Sequence, residues 1–365
     1  MTIVKDLSNA IEAIAPLNYQ EAYDNSGLLI GSPNQIVTGV MLSLDVTEAI
    51  VAEAIAHNCN VIVAHHPLIF KGLKSLTYKN WVERTVALLI KHDIALYVAH
   101  TNLDNVLHKG VNAKFAEKLG LENLQILEAK TDILSKLIVY APISHAAQIK
   151  SAMFAAGAGQ IGLYSECSFS SMGQGSFKAA TGAQPFIGTI GSREEVEELK
   201  IEAIVPTYLT QKVIASVAEV HPYETMAYDC IALNVEHKGV GAGAIGVLPE
   251  AMTTQDFLKY IKSNLPIKLI KHNGHDGMIR KVALCGGSGA FLLKKAMQMG
   301  ADAYVTADLK YHEFFDAEGL LFCDIGHYES EISTLELFYA EISDKFANIA
   351  VRFCKTNTNP IQYYF

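Results

Sequence analysis

GVMLSLDVT at residues 39–47, NVIVAHHPLIF at residues 60–70 and IALYVAHTNLD at residues 94–104 each carry a short Val, Ile, Leu and Ala run and then a charged or imidazole side chain. Between them lie TEAIVAEAIAHN at residues 47–58 and WVERTVALLIKHD at residues 81–93, both spaced as helices. Apolar runs without alternation, joined by helices, predict βαβ units whose strands are buried on both faces of the sheet. The fold class is therefore α/β.

Working outward, the rhythm returns after about residue 240: KVALCGGSG at residues 281–289, the helical AFLLKKAMQMG, the strand-like ADAYVTAD, and GLLFCDIGHYESE at residues 319–331. His100 with Asp104 then has a counterpart in His327 with Glu331, each pair following a strand. The two stretches read either as an internal duplication or as the rhythm of any α/β chain. A different texture separates them. The order strand KLIVYAP, helix SHAAQIKSAMFAAGA, Gly- and Ser-rich hairpin material, strand LKIEAIVP, helix YLTQKVIASVAEVHP and strand AYDCIALN is βαββαβ, the ferredoxin-like arrangement. Three parts follow: residues 1–130 as the N-terminal lobe of a core domain, 131–238 as an inserted α+β domain, and 239–365 as the C-terminal lobe. The two lobes are expected to form one core domain around mixed sheets.

Composition narrows the function. The chain has 365 residues, half of them hydrophobic and 18% charged, which suits a globular protein with two or three compact units. A net charge of -9, with no cluster of Lys and Arg, argues against a nucleic-acid partner. Cys59, Cys167, Cys230, Cys285, Cys323 and Cys354 are scattered without a C-x-x-C pair, as reduced thiols are. The N-terminus lacks a basic segment followed by an apolar one, and no apolar run approaches ~18 residues. A cytoplasmic location and no membrane partner are expected.

The chemistry sits at strand ends, where parallel sheets collect ligands. His65 and His66 close the run VIVA and are followed by Pro67, which turns the chain outward. Asp104 and His327 follow strands in the same way. If GHYESE opens a helix, His327 and Glu331 share a face at i, i+4. Five imidazole or carboxylate groups can thus converge. Mixed His and carboxylate donors suit zinc first, then iron, manganese or cobalt. A single catalytic metal usually takes three protein ligands, so five point to two divalent ions bridged by a carboxylate, and Asp104 reads as that bridge. Such a pair can bring the pKa of water from about 15.7 to about 7.

Other residues keep two readings. His100 is a ligand, a partner that orients one, or a strand-end residue. Gly287, Ser288 and Gly289 either present backbone N–H groups to a phosphate or form a turn that needs glycine. Lys310, Tyr311 and His312 either contact a substrate or lie in a solvated loop. His221, before Pro222, reads more readily as loop packing than as a functional group.

Taken together, DNSGLLIG at residues 24–31, AHHP at 64–67, HTNLD at 100–104, GGSG at 286–289 and GHYESE at 326–331 resemble the GTP cyclohydrolase I type 2 homologues. These are also described as the dinuclear metal centre or Ngg1-interacting-factor-three-like family. The middle segment, with HPYE at residues 221–224, resembles the inserted domain of the longer members, itself similar to the PII and CutA signalling fold. The resemblance implies two metals held by His65, His66, Asp104, His327 and Glu331, facing the cavity of a toroidal homohexamer built as a trimer of dimers. It also implies conversion of GTP to dihydroneopterin triphosphate with loss of formate.

Two function classes follow. In one the protein is a metal-dependent hydrolase of a small molecule, a nucleotide or related heterocycle, with Glu329, His100 or His312 as the acid for the leaving amine. In the other it is a non-catalytic metal-binding or regulatory protein whose inserted domain senses a ligand.

Overall fold

In the computed structural model, which describes residues 1–364, the apolar runs of the N-terminal lobe become strands β1 (Gly27–Ile30), β2 (Gly39–Ser43), β3 (Val61–Ala64) and β4 (Ala95–Val98). β2, β3 and β4 lie parallel, and β1 runs antiparallel along β4. Every residue of β2, β3 and β4 is buried, as their unbroken apolar sequence requires. The helices Glu48–Ala56 and Trp81–Lys91 cover the sheet through Ile50, Val51, Ala54, Val86 and Leu89. Asn80 begins the second of these, its side-chain oxygen accepting the Glu83 amide at 2.9 Å. Each fully buried Leu or Ile here contributes about 1.5–3 kcal/mol. β5 (Glu122–Ala129) ends the lobe and belongs to a second sheet.

Residues 130–238 form a unit of their own, while residues before and after them make a single one. The inserted unit contains β6 (Leu134–Pro142), β7 (Phe169–Lys178), β8 (Arg193–Pro206) and β9 (Tyr228–Leu233) in the order β7-β8-β6-β9, all antiparallel. With the helices Ala146–Ala155 and Thr210–Ala218 this is the βαββαβ arrangement expected from the sequence. Leu137, Val139, Ile149, Met153, Ile201, Val205 and Val213 pack its core. β8 begins earlier than LKIEAIVP suggests, because the charged run before it pairs with β7 from Arg193 opposite Lys178 to Glu198 opposite Gly173. His221 is buried, its Nε2–H donating to the Tyr140 carbonyl at 3.0 Å while Nδ1 accepts the Tyr223 amide at 3.2 Å. It packs the loop.

The chain returns through β10 (Gly241–Thr253), β11 (Lys271–His272), β12 (Met278–Ser288), β13 (Ala303–Ala307), β14 (Leu321–Asp324) and β15 (Ala350–Phe353). β15 crosses back to lie parallel to β2, giving the first sheet the order β1-β4-β3-β2-β15. The second sheet has the order β11-β14-β13-β12-β10-β5, with β12, β13 and β14 parallel and β11 antiparallel to β14. The first four strands of each order therefore match in position and direction. The lobes share a topology.

Strands β5 and β10 escape a reading by hydrophobic pattern. β10 opens with Gly241, Gly243 and Gly246, which look like loop. A Cβ at Gly241 would stand 2.1 Å from the Glu128 carbonyl of β5, so the glycine marks a close approach of two strand backbones.

Candidate metal centre

His65 and His66 continue from β3, their amides donating to the carbonyls of Ser43, the last residue of β2, and of Leu44 just after it. Pro67 then diverts the chain, so both rings stay at the carboxyl edge of the sheet with centroids 4.9 Å apart. After β4, His100 precedes the short helix Thr101–Asp104, which carries Asp104 to the same edge. After β14, His327 opens the helix His327–Glu331, which puts its imidazole and the Glu331 carboxylate on one face with Nε2 and Oε2 3.1 Å apart.

Two of the groups of potential metal ligands that result are His65 with Asp104 and Glu331, and His66 with His327 and Glu331. Glu331 belongs to both. Its Oε1 faces His65 Nε2 at 3.8 Å, while its Oε2 lies 2.9 Å from His66 Nε2. The carboxylate placed between the groups is thus Glu331 and not Asp104, which approaches His65 Nε2 at 3.6 Å. The physical reason is reach: the longer glutamate side chain spans between the two His groups.

Each ring is oriented from behind. His65 donates Nδ1–H to the Ala99 carbonyl at 2.8 Å, leaving Nε2 as an acceptor. His66 Nδ1 meets Asp45 at 2.8 Å, His327 Nδ1 meets Asp308 at 2.6 Å, and His100 Nδ1 meets Asp24 at 2.7 Å. Carboxylates behind imidazoles are the usual support of metal-binding histidines. His65 Nε2 and Asp104 Oδ1 are sealed from solvent and have no hydrogen-bond partner among the described residues. An unmet buried group costs about 1–3 kcal/mol, and a cation between these two atoms would satisfy both. The donor set fits a metal ion.

Charge follows the same pattern. Burial opposes a charge on His66 and on His327, yet hydrogen bonds to Asp45 and Glu331 push the first up to about 9, and those to Asp308 and Glu331 push the second up to about 11. Burial raises Glu331, but the His327 and His66 imidazoles bonded to it, with His65 nearby, outweigh that and hold it well below the usual range. Burial dominates at Asp104 and raises it despite His65 and His100. A metal at this centre would displace the imidazole protons that face Glu331.

The pattern of the Duf34/NIF3 (NGG1p interacting factor 3) family matches residues 2–360 of this sequence. The chain belongs to that family. A Bacillus subtilis (strain 168) protein named GTP cyclohydrolase 1 type 2 homolog is 39% identical, the match spanning 96% of each chain. A relative of the same name from Halalkalibacterium halodurans is 40% identical over 93% of each. The crystal structure of a Bacillus cereus protein related to NIF3 superposes with a TM-score of 0.86 at 37% identity, covering 100% of this chain and 99% of that one.

In this NIF3 chain the remaining candidates fall into place by geometry. His100 joins a third group with His65 and His66, in which one ring nitrogen of each lies within 4.8 Å of the others. Glu329 is buried and lines a cavity of about 750 Å³ beside His66 and His327. His312 does not join them: it stands exposed on a 3-10 turn against Tyr311 and Phe315. Gly287 adopts φ +62, and a Cβ there would sit 2.4 Å from Glu331 Oε1. Its amide donates to Ser330 Oγ at 2.9 Å, so this N–H is already used, and the GGSG segment lets Glu331 approach the end of β12. Asp45, Asp308 and the tail residues Thr358 and Asn359 were not legible as site residues. Thr358 donates to Asp45 at 2.7 Å, and Asn359 to Glu329 at 3.1 Å. An aspartate just past a strand end was the one signal for Asp45 and Asp308. The tail carries none.

Proposed function

We propose that this protein holds two divalent metal ions and is a metal-dependent hydrolase of a nucleotide or related heterocycle. His65, Asp104 and Glu331 would hold one ion, and His66, His327 and Glu331 the other. The observation that supports this is the placement of Glu331 between two imidazole groups, beside a pair of buried atoms without partners. Zinc suits the mixed nitrogen and oxygen donors first, with iron, manganese and cobalt as alternatives. When bound, such a pair supplies Lewis acidity and activates water near neutral pH. The protein's own part is to orient the rings through Asp45, Asp308 and the Ala99 carbonyl, and to offer a proton carrier. His100 suits that role: its Nδ1 is fixed on Asp24, its ring centroid lies 5.5 Å from that of His66, and it lines the cavity.

The relatives' shared name directs the reading to C–N bond hydrolysis, with GTP as the first substrate to try. A cytoplasmic toroidal hexamer belongs to the same proposal, tested by light scattering. The functional test is metal content and formate release measured together on protein reloaded with zinc, manganese or iron(II). Turnover requiring about two ions per chain and lost in Glu331→Ala is the expected result. Two bound ions with no hydrolysis of any heterocycle would overturn the hydrolase reading.

A further inference from the structure

The cavity beside the centre has a chemical character that the GTP assignment does not match. Its volume, about 750 Å³, suits a small molecule. Phe70, Tyr328, Tyr363, Leu44, Leu269 and Ile361 give it aromatic and aliphatic walls. Among the described residues its lining includes no arginine and a single lysine, Lys271, whose ammonium is already 2.6 Å from Asp324. A triphosphate needs the reverse, since binding sites for it use Lys, Arg or open backbone N–H groups.

The metals would not make up the deficit. Two divalent ions bring four positive charges, but Asp104 and Glu331 are joined by Asp24, Asp45 and Asp308, the carboxylates behind the three rings. Five carboxylates therefore neutralise the ions before any substrate arrives.

Glu329 is the group left over. It is only 6% exposed, it lines the cavity, and its Oε1 accepts from Asn359 at 3.1 Å. Its Oε2 accepts no hydrogen bond from the described residues. A buried carboxylate at the side of an aromatic-walled cavity accepts paired N–H donors in one plane, as it does from a guanidinium fork.

We propose that the molecule recognised here is an uncharged planar nitrogen heterocycle bearing a ring N–H next to an exocyclic amino group, held by Glu329, and that polyphosphates are disfavoured. This rests on the cavity being the substrate site of the metal centre, and it narrows the substrate class. Glu329 is then a specificity residue, and Asn359 positions it.

The test is equilibrium binding by calorimetry, at fixed ionic strength, to the metal-loaded protein with guanosine, inosine and GTP as probes. Inosine lacks the amino group, and GTP adds the phosphates. Guanosine is expected to bind about 10-fold or more tightly than either. Glu329→Gln should erase the preference over inosine while leaving metal content unchanged. If that variant does not fold, Asn359→Ala should reduce the preference by a smaller factor. GTP binding as tightly as guanosine, an unchanged guanosine-to-inosine ratio in the variants, or no binding by any probe would each overturn the proposal. Guanosine binding through Glu329 without hydrolysis would remove the hydrolase reading and keep this one. Formate release from GTP at low micromolar GTP would do the opposite.

Discussion

The turn after β4 and the turn after β14 are built to one plan and end differently. Each starts with a histidine whose Nδ1 rests on an aspartate, His100 on Asp24 and His327 on Asp308, and each presents a carboxylate four residues later. Asp104 reaches one imidazole and leaves Oδ1 without a partner, whereas Glu331 lies within 3.8 Å of three. One methylene and a glycine account for the difference, because Glu331 is longer and the β12 end at Gly287 leaves it room. Matching strand orders thus give one turn whose carboxylate faces a single imidazole and one whose carboxylate stands among three.

The largest expected effect comes from removing the bridge. Glu331→Gln should lose both ions, read as metal per chain by elemental analysis, and Glu331→Asp should retain at most about one because its carboxylate cannot span the two groups. Asp104→Asn should cost one ion and spare the His66 and His327 group. Equal losses in the Asp104 and Glu331 variants would erase the contrast between the turns.

Next in size is a pH effect confined to the second turn and its partner. Folded-state pKa values raised from the usual 6.5 to about 9 at His66 and about 11 at His327 mean that their protons stabilise the metal-free fold fully below 6.5. That contribution fades as pH rises through about 9 and then about 11. Metal uptake displaces the same protons, so affinity should climb with pH over this interval by about tenfold per unit for each proton released. Thermal melting of chelated protein and calorimetric metal titrations should move in opposite directions between neutral pH and 9. Parallel movement would mean that the protons are not where the geometry places them.

A smaller effect sharpens the role of His100. Asp308→Asn should weaken metal binding about 10- to 100-fold by unseating His327. Asp24→Asn should change metal affinity much less, and should alter the pH profile of turnover instead. A loss in Asp24→Asn as large as in Asp308→Asn would make His100 a ligand and the two turns equivalent. Smallest is Thr358→Ala, which removes one hydrogen bond to Asp45 and should cost about 0.5–1.5 kcal/mol of metal affinity, restored in Thr358→Ser.

Much of this could be read without coordinates. The continuous apolar strands of the first lobe, the βαββαβ order of the insert and the imidazoles and carboxylates at strand ends all follow from local pattern, because burial on both sheet faces and turn chemistry leave their mark residue by residue. Asp45, Asp308 and Asp24 are different: apart from the place of the first two just past a strand end, nothing adjacent in sequence distinguishes an aspartate behind a histidine from one in a solvated loop. The strand β10 was hidden by glycines, of which Gly241 makes room for the backbone of β5.

Local pattern therefore determined that this chain is a two-lobed α/β protein with metal-suited side chains at its strand ends. Which carboxylate stands between the imidazoles, which aspartate backs which ring, and how Asn359, Pro360, Ile361 and Tyr363 of the tail wall the cavity were decided by tertiary structure. These depend on distances between residues hundreds of positions apart, such as His66 and Glu331, set by the packing of two sheets rather than by any neighbour along the chain.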